Sequence, residues 1–278
     1  MWKQKIGIAV GSRLKDSSEM AMLAGIGFDA VSPGWAPNGE TLPLAKAARE
    51  CGLDLQYLHA PFSKAAAMWG ADEEKAAVAV AEVAIPLEDA ARMEIPYLVV
   101  HTWIGFDYTF GETKYGFERY GKLVDRAAAL GVKIAFENTE GDEYLFALME
   151  HFAGNETVGF CWDSGHELCY NHSRDLLADF GDRLMVTHLN DNLGISRFDG
   201  NTFWTDDLHL LPYDGISDWD YNVARLRKAR KLDILNFELG RTSKPNRHEN
   251  DAYARMSDIE YYTEAYNRAC RIAYRYAL

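Results

Sequence analysis

The sequence predicts a single (β/α)8 TIM barrel, an α/β fold in which eight parallel strands alternate with helices. The chain has 278 residues with 48% hydrophobic content, which suits one barrel of about 250 residues. Short β-rich runs alternate with longer amphipathic runs from one end to the other, which indicates a parallel sheet. No Ser- or Pro-rich linker interrupts this alternation. We therefore expect one domain over residues 1–278.

Eight runs have the length and composition of strands, and eight strands close a barrel. The predicted strands are residues 6–10, 28–32, 53–59, 97–101, 133–137, 158–163, 184–188 and 234–238. The predicted helices between and after them are residues 17–24, 42–51, 72–93, 115–130, 142–152, 175–180, 218–231 and 251–276. Pro86 should kink or divide the third helix, because proline lacks an amide donor and clashes with the preceding turn.

The longest connection follows the seventh strand. Residues 190–215 are rich in Gly, Asp and aromatic side chains and have little helical periodicity. The loops after barrel strands build the active site, and long loops without a function are uncommon. We expect this segment to cover a substrate.

Charge and cysteine content limit the class of partner. The chain has 42 acidic and 29 basic residues, a net charge of -13, which disfavours nucleic acid because its binding depends on Lys and Arg. No apolar run approaches the ~18 residues of a membrane span, and the amino-terminal residues do not have the pattern of a signal peptide. The four cysteines are scattered, which argues against a disulfide framework. These features predict a cytoplasmic protein that acts on small molecules without binding membranes.

Carboxylates and imidazoles end most of the predicted strands. Any one of them alone is more often a hydrogen-bonded structural residue. At the same height of a closed barrel they would converge on its axis, where like charges stay ionised only beside a cation. The pattern predicts one or more divalent metal ions at the carboxyl ends of the strands, held among His59, His101, Glu137, Asp163, His188 and Glu238.

Two local spacings extend this group. In Asp163-Ser164-Gly165-His166 an imidazole follows a strand-end acid by three residues, and Asp207-Leu208-His209 places two ligands on one side of an extended segment. The alternative is that His166 caps a helix and that His209 packs within the loop. Asn138 and Asn190 would supply hydrogen bonds that orient the ligands.

These residues belong to segments that together resemble the xylose isomerase-like barrel superfamily. That superfamily includes sugar and sugar-phosphate isomerases, ketose 3-epimerases and metal-dependent apurinic-site endonucleases. The resemblance covers nearly the whole chain in order, from the first strand to the last. The matching segments are Leu58-His59-Ala60-Pro61, Val100-His101, Phe136-Glu137-Asn138-Thr139, Val158 through His166, His188-Leu189-Asn190-Asp191, Asp207-Leu208-His209 and Phe237-Glu238.

The resemblance to the epimerases implies a ligand set and a reaction. One divalent ion would be bound by Glu137, Asp163, His188 and Glu238, with the two glutamates also acting as the acid/base pair. We expect a sugar or sugar-phosphate isomerase or epimerase in which carboxylates move a proton through a metal-stabilised enediolate. Mn²⁺ or Zn²⁺ is favoured, and Co²⁺ or Mg²⁺ is an alternative.

The resemblance to the endonucleases implies a different use of the same barrel mouth. In those members nine positions bind three zinc ions, and all nine match here: the four above together with His59, His101, His166, Asp207 and His209. These five are therefore further candidates for metal or substrate contact. A zinc-dependent phosphodiesterase is the alternative function, and a lyase or dehydratase is another. No basic DNA-inserting loop is evident, and Gly194 stands where epimerases often carry an arginine.

Substrate contacts are predicted on the loops after the strands. Phe62 and Trp103 would stack on a sugar ring, although such aromatic residues also pack helices or a homo-oligomer interface. Arg241 would contact a phosphate. Other basic residues with the same potential are Arg13, Lys15, Lys64, Arg197, Lys244 and Arg247.

Overall fold

A computed structural model describes residues 4–11, 16–111, 113–197 and 199–278. In these ranges the strands are β1 (Lys5–Gly11), β2 (Ala30–Pro33), β3 (Asp54–Leu55), β4 (Tyr57–His59), β5 (Tyr97–His101), β6 (Lys133–Glu137), β7 (Val158–Asp163), β8 (Leu184–His188) and β9 (Ile234–Phe237). The helices are α1 (Ser17–Ile26), α2 (Thr41–Glu50), α3 (Glu73–Arg92), α4 (Lys114–Leu130), α5 (Asp142–His151), α6 (Ser164–Cys169), α7 (Leu176–Phe180), α8 (Trp219–Leu226), α9 (Asp251–Ala254) and α10 (Asp258–Ala277). Short 3₁₀ turns occupy Pro37–Gly39, Ala65–Trp69, Gly181–Arg183 and Trp204–Asp206.

The strands form a closed parallel barrel, as the sequence predicts. One sheet has the order β3-β2-β1-β9 and the other the order β4-β5-β6-β7-β8. Two single bridge pairs, Gly34 with His59 and Leu189 with Phe237, join the sheets. The predicted strand at residues 53–59 is divided into β3 and β4 because the chain changes partner at Gln56, from β2 to β5. Together β3 and β4 supply one of eight barrel strands.

Two apolar layers hold the barrel together. The larger lies between the strands and the surrounding helices. The smaller, inside the barrel, consists of Tyr57, Val99, Ala135, Cys161, Met185 and Val186. Because side chains two residues apart share one face of a strand, five of the strand-end ligands lie directly above this inner layer.

Two of the predicted helices take a different form in the structure. Helix α3 continues as one element through Pro86, so its predicted division is wrong. Its buried face packs on the core through side chains such as Val83 and Leu87, and such packing is the main source of helix stability in proteins. The predicted closing helix is two helices, because Ser257 forms a capping box with Glu260 that starts α10.

The short helix α6 was not predicted. It begins directly after β7, where the Asp163 side chain accepts a hydrogen bond from the amide of His166. None of the helices in the described ranges combines the length and apolarity that a membrane span requires.

Candidate metal centre

The register of the parallel strands brings the strand-end ligands side by side. His101 is the partner of Glu137 between β5 and β6, and Asp163 is the partner of His188 between β7 and β8. Glu238 follows β9, and its amide donates to the carbonyl of Leu189 at 3.2 Å. The predicted convergence at the carboxyl ends of the strands is therefore present.

Glu137 lies at the centre of the histidines and is fully buried. Its Oε2 is 3.1 Å from His59 Nε2 and 3.2 Å from His101 Nε2. Its Oε1 is 3.0 Å from His188 Nδ1 and 3.3 Å from His166 Nδ1. Burial alone would raise the pKa of Glu137, but the imidazoles, His188 foremost, bring it well below its usual value. The carboxylate is thus held ionised inside the barrel.

Four residues, which we call the inner set, converge on one point: Glu137, Asp163, His188 and Glu238. One ligand atom from each lies within 4.8 Å of the others. His188 Nδ1 is 2.8 Å from Glu238 Oε2, 3.0 Å from Glu137 Oε1 and 4.0 Å from Asp163 Oδ2. One imidazole nitrogen thus faces three carboxylates.

The donor chemistry of the inner set fits a divalent cation. A proton on one imidazole cannot balance three carboxylates, two of them with no exposed surface. Burial raises the pKa of Asp163, so a cation beside this carboxylate would favour its charged form. Mixed carboxylate and imidazole ligation suits Mn²⁺, Co²⁺ or Zn²⁺ better than Ca²⁺, which prefers oxygen ligands alone.

A second group, which we call the outer set, consists of His166, Asp207 and His209. Asp207 Oδ1 is 2.8 Å from His209 Nε2 and 3.4 Å from His166 Nε2. Burial would lower the pKa of His209, but Asp207 raises it to about 9. Ligand atoms of His166 and His209 also lie within 4.8 Å of one from Asp163. A further group of this kind joins His59, His101 and Glu137.

Amide side chains orient Asp163, as expected of Asn138 and Asn190. The Asp163 amide donates to Asn138 Oδ1 at 2.8 Å, and Asn190 Nδ2 donates to Asp163 Oδ2 at 2.9 Å. A Cβ at Gly165 would lie 1.9 Å from Asn190 Oδ1, so only glycine admits this close approach. Asn171, which the sequence did not point to, links the loop by donating to the carbonyl of Thr139 at 2.9 Å.

A cavity of about 430 Å³ opens beside these groups. It is lined by Phe62, His101, Ile104, Gly105, Phe106, Glu140, His166, Tyr170, Trp204, Asp207 and Lys244. A larger cavity of about 730 Å³ lies at the opposite end of the strands, between side chains such as Asp54, Tyr97 and Asp233. Because that cavity touches none of the predicted ligands, the smaller one is the candidate ligand site.

Of the three predicted substrate residues, Phe62 lines the cavity, whereas Trp103 and Arg241 are not part of its lining. Phe62 lines the cavity and stacks on His101 with ring centroids 4.1 Å apart. Trp103 stacks instead on Tyr144 at 4.4 Å, away from the cavity lining. The Arg241 guanidinium contacts Asp258, the carbonyl of Tyr253 in α9 and the carbonyl of Met256 between α9 and α10.

Among the other basic candidates, Lys244 reaches the cavity. Arg247 is paired with Asp206 and Glu249. Arg13 and Lys15 lie outside the described residues.

Tyr170 and Glu140 are among the cavity residues that the sequence analysis missed. Tyr170 stacks on His166 with ring centroids 4.8 Å apart. The i, i+4 spacing would have signalled this contact had the helix α6 been predicted. Glu140 accepts a hydrogen bond from the amide of Gly105 at 2.8 Å. Its position two residues beyond Asn138 was the available signal.

Comparison with known proteins gives a family and several structural relatives. Residues 20–259 match the family model described as xylose isomerase-like TIM barrel. The uncharacterized protein y4fM of Sinorhizobium fredii (strain NBRC 101917 / NGR234) is 30% identical over 196 residues, which are 66% of this chain and 56% of that protein. The chain thus spans little more than half the length of that relative.

Two solved structures share the fold at low sequence identity. The IOLI protein with a binding zinc atom is 17% identical with a TM-score of 0.75, covering 97% of this chain and 98% of that one. A D-psicose 3-epimerase in the presence of D-fructose is 16% identical with a TM-score of 0.69, covering 99% and 100%.

Proposed function

Because the chain belongs to the xylose isomerase-like TIM barrel family, we propose that it is a metal-dependent isomerase or epimerase of sugars or sugar phosphates. The observation that carries the proposal is the inner set, in which two glutamates approach one nitrogen of His188 at 3.0 and 2.8 Å. The solved relatives support it, since they include a D-psicose 3-epimerase and an L-ribulose 3-epimerase.

In this proposal the inner set binds the metal ion and the glutamates move the proton. A divalent ion supplies a positive charge that acidifies the C–H bond next to a substrate carbonyl. Glu238, whose side chain is 29% exposed, meets the substrate and removes its proton. Glu238 then releases this proton to solvent. Glu137, which is 1% exposed and contacts four imidazoles, receives a proton from one of those rings in its protonated form and returns it to the opposite face of the substrate, and the ring takes a new proton from solvent.

Isotope exchange with solvent tests the proton transfer. Incubation of ketoses with the Mn²⁺-loaded protein in D₂O should place deuterium at the carbon next to the carbonyl. Glu238→Gln removes the base and should slow this exchange by about 10²- to 10⁴-fold. Glu118→Gln is the matched control, because that glutamate is paired with Lys122 on the surface of α4. Turnover without deuterium incorporation would favour a hydride shift or hydrolysis.

A zinc phosphodiesterase is the second candidate, and the convergence of the three ligand groups favours it. The test is cleavage of DNA that contains an abasic site, with Zn²⁺ and at low salt, where contacts to phosphates are strongest. With a net charge of -13, we expect little cleavage. Efficient incision that disappears in Asp207→Ala and His209→Ala would replace the isomerase with the phosphodiesterase.

A further inference from the structure

A series of four aromatic rings runs from the outer set to the rim of the cavity, and three of them, Tyr170, Phe106 and Trp204, line it. Tyr170 stacks on His166 at 4.8 Å, Phe106 follows at 5.4 Å from Tyr170, and Phe203 lies 5.9 Å from Phe106. Trp204 ends the series, 6.0 Å from Phe203. We call Tyr170, Phe106, Phe203 and Trp204 the aromatic arc. Its inner end touches a candidate ligand, so a molecule bound at the sets also reaches the arc.

The rim of the arc carries apolar surface that is exposed to solvent. Phe203 is 42% exposed and Trp204 is 43% exposed. Phe62, which lines the same cavity, is 40% exposed. Large aromatic side chains gain most from burial, and concave apolar sites with a few polar groups are the usual form of small-molecule sites. A ligand in this cavity would cover Phe62 and Trp204, which line it.

Few polar groups line the cavity outside the two sets. Glu140 and Lys244 are the charged side chains there in the described part of the chain, and the lining is mostly apolar. Glu140 accepts from the Gly105 amide, and Lys244 Nζ is 3.2 Å from Asp207 Oδ2 and 5.8 Å from the centroid of the Trp204 ring. Hydroxyl groups placed against the Phe106 ring, in the middle of the arc, would lose hydrogen bonds to water without replacement.

From this polarity we infer that the aromatic arc is a subsite for a flat apolar ring attached to the sugar. The hydroxylated end of the ligand lies at the inner and outer sets, and the ring stacks along the arc toward Trp204. The inference rests on the proposed function for the identity of the hydroxylated end. It adds a substrate class, sugars that carry an aromatic substituent.

Binding of two matched glucosides tests the subsite without requiring turnover. Titration calorimetry of the full Mn²⁺-loaded chain would compare phenyl β-D-glucoside with methyl β-D-glucoside, which differ in the group at the rim. One aromatic stacking contact predicts about tenfold tighter binding of the phenyl compound. Trp204→Ala should reduce this preference to about twofold, and Trp204→Phe should retain most of it.

Phe110→Ala provides the matched control. Phe110 is 43% exposed, as Trp204 is, but its ring packs on Tyr144 at 4.9 Å and does not line the cavity. This variant should keep the full preference for the phenyl compound. Equal affinity for the two glucosides, a preference unchanged in Trp204→Ala, or no saturable binding of the phenyl compound at millimolar concentration would overturn the subsite. A phenyl preference without any deuterium exchange would retain the subsite and remove the isomerase.

Discussion

The inner and outer sets lie next to each other but are positioned by different parts of the fold. Glu137, Asp163 and His188 end strands of the five-stranded sheet, and each is fully buried. Asp207 and His209 instead lie on the long connection after β8, with side chains 13% and 18% exposed. Strand register therefore fixes these three of the four inner residues, whereas the conformation of the connection fixes two of the three outer ones.

The long connection after β8 is held in place by local interactions that the strands do not need. His209 has a positive φ of 48°, a conformation that costs free energy in a residue with a side chain. Its carbonyl accepts from the Gly240 amide at 2.7 Å. Asp191 accepts from the amides of Tyr213 and Ser217 at 2.8 and 3.0 Å, which anchors the far end of the connection. We therefore expect loss of an inner ligand to weaken metal binding more than loss of an outer one.

The largest effect is expected from loss of an inner ligand. His188→Ala removes the nitrogen that faces three carboxylates, and Glu238→Gln removes one charge. Elemental analysis should show that neither variant retains stoichiometric metal, and His188→Ala should lower isotope exchange by at least about 10³-fold. His151→Ala is the control, since that ring stacks on Phe117 away from the site. Full metal occupancy in both inner variants would contradict the ligand assignment.

A smaller effect is expected from the amide that orients the inner set. Asn190→Ala deletes the hydrogen bond to Asp163 Oδ2 and should weaken metal binding by about 10- to 100-fold. Competition with a chromophoric chelator would measure the affinity. Asn201→Ala, at an exposed loop position, should leave it unchanged. Wild-type affinity in Asn190→Ala would mean that the strand alone orients Asp163.

Metal affinity should also depend on pH. Burial would lower the pKa of His188, but neighbouring groups, Cys161 and Glu238 foremost, raise it well above its usual value. The metal-free protein therefore keeps this proton at neutral pH, and binding must displace it. Affinity should rise by about tenfold per pH unit for each displaced proton and level off above the raised pKa. Calorimetry in buffers of different ionisation enthalpy would count the protons. A flat profile from pH ~6 to ~8 would contradict the prediction.

The smallest effect is expected from the outer set. If the protein is an isomerase that uses the inner ion, Asp207→Asn and His209→Ala should lower isotope exchange by less than about tenfold. Metal content at the inner set should not change. If these variants lost as much isotope exchange as His188→Ala, the outer set would be as important as the inner one. That result would favour a reaction that needs more than one ion.

Burial explains which elements the sequence could predict. Strands β5 to β8 begin and end where predicted, because strands covered on both faces read as apolar runs that stop at a polar ligand. The change of strand partner at Gln56 leaves no comparable pattern in the sequence, because it depends on which strand lies next to the chain in the barrel. Helix α6 is only six residues long, too short for a periodic pattern.

In the site, too, the strand residues could be predicted and the loop residues could not. Convergence of the strand-end ligands follows from register and could be predicted from their positions. The directions of loop side chains could not, as Trp103 and Arg241 illustrate: one packs on Tyr144 and the other contacts the start of α10. Their predicted part in substrate binding stays a prediction. The contact of Tyr170 with His166 was not predicted, because it depends on helix α6, which was not predicted either.

The two single bridge pairs that close the barrel have a dynamic consequence. Glu238 follows the seam between Leu189 and Phe237, so it belongs to the four-stranded sheet, whereas Glu137, Asp163 and His188 belong to the other. Opening of this seam would separate Glu238 from the other three without disturbing them. The amides of Leu189 and Glu238 should therefore exchange with deuterium faster than those in the middle of β6 and β7. The gap between the two glutamates therefore spans a seam with a single bridge pair.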